Sequence, residues 1–283
     1  MLSSLQLAVL VFYLVTSMAG IGLRVHLRDL GATVARKDLL LRSLAVNYLA
    51  VPALGWLVTR IVPMTPLAAD AILVLACAPG GVTAVQFTSK RKDVLAFAGT
   101  TALLLTASSI LLSPLLMSLL LPAELSLVVP YARGFGYLVL FMLLPIGLGI
   151  LLRHRAEHLA DRLSRPMALV GTLAFFLFIG ITMQVRRDAM AEIDGPEVAA
   201  MVGFILVTGV IGWLSGGPGR ETRQVLAAAT SMRNVALSLA IAARSFPDAG
   251  IQAHLAAFCA LMITPNMIFL VSTLVMGRLR RRA

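Results

Sequence analysis

Cys77-Ala78-Pro79-Gly80-Gly81 interrupts an apolar run that extends over residues 67–89. Pro79 removes a backbone donor, and Gly80-Gly81 lets the chain leave helical geometry at little steric cost. A second interruption, Thr230-Ser231-Met232-Arg233-Asn234, lies near the middle of the run 224–245. Each interrupted run is followed by one with a proline inside, Ser113-Pro114 in 94–121 and Thr264-Pro265-Asn266 in 251–276. The two halves of the chain therefore echo each other, and the charge pattern below has the interrupted runs crossing a bilayer in opposite directions. Irregular backbone at membrane depth is tolerated only where it is buried in protein or lines a wet cavity. Paired interruptions in corresponding positions point to the binding site of a transporter built as an inverted repeat. A proline kink with glycines for close helix packing would account for the first run taken alone. The matching polar interruption in the second half favours a break.

The rest of the chain supplies the setting. Of 283 residues, 59% are hydrophobic and 13% charged, against about 25% charged in an ordinary soluble domain. The apolar residues come in blocks long enough for a helix rising 1.5 Å per residue to cross a core of about 30 Å. The predicted spans are 4–23, 39–62, 67–89, 94–121, 134–152, 166–185, 197–216, 224–245 and 251–276. The sequence thus predicts an all-α integral membrane protein of about nine transmembrane helices, a single transmembrane domain over 1–283 with no soluble domain. Basic clusters follow alternate spans: Arg24, Arg28, Arg36 and Lys37; Lys90, Arg91 and Lys92; Arg153, Arg155, Arg162 and Arg165; Arg220 and Arg223; Arg278, Arg280, Arg281 and Arg282. By the positive-inside rule the N-terminus lies outside and the C-terminus in the cytoplasm. The first block lacks a positive n-region, so it reads as a span rather than a signal peptide. The expected location is the cell (inner) membrane.

Several function classes are excluded on these residues. The net charge of +11 is spent on topology signals, so no nucleic-acid partner is expected. Cys77 and Cys259 lie in apolar blocks and suggest neither a disulfide framework nor a zinc site. His154 and His158 have helical i, i+4 spacing, but in a basic loop they read as a solvated face; no metal site or cofactor is expected. A membrane-embedded enzyme would need a nucleophile–base pair, an acidic dyad or a metal cluster within the spans. None is found, and His254 has no obvious partner in the sequence. A sensor would be expected to add a soluble output module, and none is seen.

Arg233 is the most informative residue. It lies about mid-span, where insertion costs on the order of 3 kcal/mol, so it must face protein or water. Half a bilayer is a long reach for snorkelling. Asp70 and Glu197 sit at span ends, so no carboxylate is available well inside a span for a structural salt bridge. Such a guanidinium is either an anion site or a fixed charge in place of a mobile cation.

The run Ala78-Pro79-Gly80-Gly81, the turn ending Lys92-Asp93-Val94 and the span ending in Ser113-Pro114 resemble the bile acid:sodium symporter family. So do Met232-Arg233-Asn234 with the following 235–240, and the opening Met18-Ala19-Gly20-Ile21-Gly22-Leu23. The resemblance covers most of the chain and suggests a nine-helix form. It implies a fold with two crossing broken helices, a core (39–121 and 197–276) and a panel (4–23 and 134–185) moving against each other. It also implies a sodium-coupled organic anion symporter. The family pattern places sodium ligands Ser-Asn after Pro-Gly-Gly, where this chain has Ala84 and Val85. Where the family has Glu, three further residues and Gln-Asn, this chain has Ala229, Arg233 and Asn234. Asn47, five residues before Pro52, matches a further family ligand. With the oxygen ligands largely replaced, sodium is doubtful as the coupling ion.

The expected function is alternating-access transport of a small organic anion across the lipid bilayer. The expected substrate-binding residues are Arg233, Asn234, Ser231, Asn47, Thr83 and Gln86, with Gly80 and Gly81, and Pro79, Gly80 and Gly81 form the helix break. On the predicted topology, a cysteine placed anywhere in 90–92 reacts with an impermeant thiol reagent only from the cytoplasmic side. Labelling of that loop from outside would end the topology.

Overall fold

The computed structural model describes residues 4–27, 31, 36–80, 92–121, 136, 139–185, 187–245 and 250–279. Every regular element among them is helical. In chain order these are α1 (Ser4–Gly22), α2 (Lys37–Ile61), α3 (Pro66–Cys77), α4 (Lys92–Leu120), α5 (Leu144–Arg155) and α6 (Glu157–Val185). Then come α7 (Arg187–Ala191), α8 (Gly195–Ser215), α9 (Arg220–Ser231), α10 (Val235–Ser245) and α11 (Gly250–Leu279). Among the described residues, α1, α2, α4, α6 and α8 are each long and apolar enough to cross a membrane. The all-α membrane architecture expected from the sequence is the one found.

Local chemistry explains the element boundaries. Thr65 caps α3, its hydroxyl accepting from the Ala68 N–H, with Pro66 in the first turn where no donor is needed. Asp194 caps α8 in the same way, accepting from the Glu197 N–H, again with a proline behind it. Within α2, Pro52 has no N–H to give the carbonyl four residues back. The ladder widens to a π-turn over Val46–Ala50, closed by the Val51 N–H on the Val46 carbonyl. A second π-turn, Val139–Leu143, precedes α5 and its Pro145.

Two boundaries differ from the sequence reading. The sequence predicts a loop over 153–165 and a span from Pro166, whereas α6 begins at Glu157 and carries Pro166 inside it. The charged turns 157–165 extend the helix ahead of its apolar part, and one missing hydrogen bond does not end it. His154 and His158 are separated by the non-helical Ala156, so they belong to different helices and not to one face.

The molecule is apolar on its outside as well as within. Leu169, Leu173, Phe176 and Leu177 of α6 are all exposed, the stripe a lipid-facing helix presents. α1 packs against α5 and α6. The α1–α5 seam is backbone-close: a Cβ on Gly22 would lie 2.2 Å from the Ile146 carbonyl oxygen. Arg153 fastens this group, its Nε donating to the Leu23 carbonyl at 2.6 Å and its Nη1 pairing with Asp161 at 2.5 Å. On the other side, α3 packs against α2, α4, α10 and α11, and α8 packs against α9 and α11.

The break in 224–245 falls at Met232, Arg233 and Asn234, between α9 and α10. α3 ends at Cys77, and the chain through Ala78, Pro79 and Gly80 is non-helical; Gly81 onward to residue 91 lies outside the described residues. The two interruptions meet. The Asn234 N–H donates to the Ala78 carbonyl at 3.1 Å. A Cβ on Gly80 would sit 1.4 Å from the Met232 carbonyl oxygen, a spacing only glycine permits.

Gly80→Ala therefore forces two backbones apart and is expected to cost more than about 3 kcal/mol, seen as poor expression or a large drop in Tm. Gly147→Ala, where nothing lies within 4 Å, should stay within about 0.5 kcal/mol of wild type. Equal Tm values for the two variants would refute the close crossing.

Candidate binding site at the helix crossing

The site begins with carbonyls that the first break leaves over. In an unbroken helix the Leu75 carbonyl would accept from residue 79, but Pro79 has no N–H; it accepts instead from the Ala78 N–H at 3.0 Å and keeps a second lone pair free. The Ala76 carbonyl would accept from Gly80, which has left the helix. Groups of this kind cannot be left open inside a membrane protein. Arg233 answers both: its Nε donates to the Leu75 oxygen at 2.9 Å and its Nη2 to the Ala76 oxygen at 2.7 Å. Nη1 donates to Asn47 Oδ1 at 2.8 Å and to the Thr230 carbonyl at 3.4 Å. The side chain is 1% exposed. Its partners are neutral oxygens, and among the described residues it makes no ion pair with a carboxylate. The C-terminal end of α3 carries the negative end of a helix dipole, which is the favourable place for a cation.

Asn47 holds its position through its own amide. Nδ2 donates to the Ser43 carbonyl at 3.0 Å and to Thr230 Oγ1 at 3.4 Å, which leaves Oδ1 turned to Arg233. The π-turn of α2 places it there. One residue on, the Tyr48 hydroxyl donates to the Leu105 carbonyl at 3.1 Å and lies 2.7 Å from Ser108 Oγ, tying α2 to α4.

Asn234 caps α10, its Oδ1 accepting from the Leu237 N–H at 3.1 Å. Its Nδ2 is buried and has no partner among the described residues. Ser231 Oγ donates to Asn266 Oδ1 at 2.5 Å, and Asn266 Nδ2 donates to the Met262 carbonyl at 2.9 Å. Ser231 and Asn266 form the polar edge of a cavity of about 310 Å³ between α8, α9 and α11, otherwise lined by Leu206, Val210, Trp213 and Pro265 among others.

The structure thus brings Asn47, Pro79, Gly80, Ser231, Arg233 and Asn234 to one crossing point. Gly81, Thr83 and Gln86, with Ala84 and Val85, lie outside the described residues. The sequence reading passed over Thr230 and Asn266 as site residues, although both stand in the quoted interruptions, beside Arg233 and Pro265. It also left His254 without a partner. In the structure His254 meets Glu197, at 3.3 Å from Nε2 to Oε2.

The Sodium Bile acid symporter family matches residues 11–193, from α1 through the first break to α7. The chain belongs to that family. Among curated proteins, sodium/bile acid cotransporter 4 of Mus musculus is 26% identical over 253 residues, covering 82% of this chain and 54% of the relative. The chain spans about half the length of that relative. Family membership and the apolar helices together make this a multi-pass membrane protein.

Replacing Arg233 by methionine keeps much of the volume and removes a donor from each of four oxygens. The expected loss is on the order of 3 kcal/mol, read as a Tm lowered by roughly 5–10 °C in detergent. Arg233→Lys should fall between, because one ammonium cannot serve all four oxygens as a planar fork does. An unchanged Tm for Arg233→Met would mean that the guanidinium does not hold the crossing.

Proposed function

We propose that this member of the Sodium Bile acid symporter family is a secondary transporter that moves a small organic anion by alternating access without sodium. The observation that carries the reading is the Arg233 guanidinium lodged on the Leu75 and Ala76 carbonyls and Asn47 Oδ1. Freed carbonyls and the C-terminal ends of half-helices are what transporters of this architecture use to coordinate a metal cation. Here a tethered cation holds them, and a second positive charge a few ångströms away is repelled. Ala229, where the family pattern has a carboxylate, supplies no negative charge to offset it.

With four of its N–H bonds taken by protein oxygens, Arg233 acts on the anion through its field. Direct contacts fall to the open Asn234 Nδ2, the N-terminus of α10 and the Ser231–Asn266 edge, with Thr83 and Gln86 expected to complete the set. The proposed arrangement has nine crossings with the N-terminus outside. The core is 39–121 and 197–276, and the panel is 4–23 and 134–185. The packing of α1 on α5 and α6, and of α3 on α2, α4, α10 and α11, supports that division, with α6 also meeting α11.

In proteoliposomes, uptake of labelled taurocholate as a probe anion should be nearly indifferent to replacing sodium with potassium or choline, and Arg233→Ala should abolish it. Purified protein should bind no ²²Na⁺. The double variant Ala229→Glu/Arg233→Gln, which restores a carboxylate and removes the guanidinium, should gain a sodium-dependent rise in Tm. Saturable sodium dependence of wild-type uptake would overturn the reading.

A further inference from the structure

Glu197 and His254 form a buried pair that the crossing does not use. Glu197 stands in the first turn of α8 and is 1% exposed; His254 stands one turn after Gly250, the first residue of α11, and is 5% exposed. Glu197 Oε1 accepts from the Thr65 backbone N–H at 2.8 Å and from the Thr65 hydroxyl. The N-terminal ends of α3, α8 and α11 therefore converge on one carboxylate.

The hydrogen-bond roles around the imidazole are constrained. His254 Nδ1 lies 2.9 Å from the Gly250 carbonyl, which can only accept. That nitrogen carries a proton. Nε2 lies 3.3 Å from Glu197 Oε2. With Nδ1 protonated, a neutral ring turns a lone pair toward an ionised carboxylate that can also only accept. The contact requires one more proton, either on Nε2 or on Oε2. The Thr65 N–H and hydroxyl both donate to the carboxylate, the pattern an acceptor-only group takes, and so the proton is placed on Nε2. Loss of that proton sets two lone pairs against each other in a buried place, and the α8–α11 contact opens.

The neighbouring charges do not supply a substitute. α3 brings Asp70, buried in the turn after Thr65, which adds no positive charge. α8 brings Asp194, exposed and bonded to the Glu197 N–H. α2 ends with the exposed Arg60, which lies over the Trp56 ring. α7 and the turn after it carry Arg187, Asp188 and Glu192, all exposed, and α6 has no titratable residue between 166 and 185. The side chains of Arg244 and Asp248 lie outside the described ones.

We infer that Glu197 and His254 together are a proton-binding site at one end of the α3–α8–α11 group, and that the proton bound there is the cation to which transport is linked. The second half rests on the transporter reading above; the first half does not. Binding moves one proton from water to Nε2 and turns a site of charge −1 into a neutral carboxylate–imidazolium pair. No other reactant is needed.

Two measurements separate the halves. The first is ¹⁵N NMR of ring-labelled His254 at neutral pH, in a background where His26, His154 and His158 are changed to Gln. It should show both nitrogens protonated. In Glu197→Gln, the amide can donate to Nε2, and the ring should become a neutral tautomer with the proton on Nδ1. A neutral ring in the Glu197 protein overturns the site.

The second is taurocholate uptake into proteoliposomes with about pH 6 outside and about pH 7.5 inside, against equal pH, a range in which histidine charge changes. Wild type should gain several-fold from the gradient. His254→Gln, which keeps a donor to Oε2 but cannot titrate, should gain nothing while keeping its Tm. A wild type indifferent to the gradient overturns the link to transport. Absence of uptake under every condition would count against the transporter reading, and the spectrum would still decide the proton site.

Discussion

One guanidinium and two peptide groups hold the centre of this molecule together. A helix that stops at Cys77 inside a membrane protein releases the carbonyls of Ala76 and Ala78 and leaves that of Leu75 with only the short bond from the Ala78 N–H. Arg233 takes Leu75 and Ala76, and the Asn234 N–H takes Ala78. Without those donors the break would be a cluster of unsatisfied polar groups, each costing several kcal/mol. With them it becomes a polar centre to which α2 and α11 attach their own side chains, Asn47 and Asn266, while Tyr48 ties α2 on to α4.

A bound ion and a tethered one differ in what they make conditional. A mobile cation enters and leaves, so the geometry of its cage depends on concentration outside the protein. An arginine on the same oxygens is present in every state of the cycle. On the proposed function, the crossing keeps one geometry and one charge throughout, and whatever makes the cycle conditional must be sought elsewhere. The Glu197–His254 contact is a candidate because it can be made and unmade by a single proton while Arg233 stays charged.

Much of this was legible before the structure. Pro79-Gly80 and Met232-Arg233-Asn234 announce their breaks through residue chemistry, and the depth of Arg233 in an apolar run marks it as buried and committed. Its partners were not legible, because a backbone carbonyl has no signature in a sequence and three of the four oxygens are backbone carbonyls. The π-turn that aims Asn47 is a compromise between Pro52 and the ladder around it, which propensity alone does not resolve. Glu197 and His254 lie 57 positions apart at the ends of different helices. Each looks like an ordinary interfacial residue until tertiary packing closes water out. The early start of α6 was missed because a charged segment was read as loop, although charge ends a membrane span without ending a helix.

The hydrogen bond from Asn234 to Ala78 joins positions separated by more than half the chain. During synthesis the first break emerges and inserts long before residues 233 and 234 exist. The first half then sits in the bilayer with open carbonyls at Ala76 and Ala78 until its complement arrives. The nascent protein passes through a stage in which its future centre is its most poorly solvated part. An insertase or chaperone that shelters polar backbone in lipid has its clearest task there, and a stalled or truncated chain would be recognisable to quality control by that same unsatisfied patch.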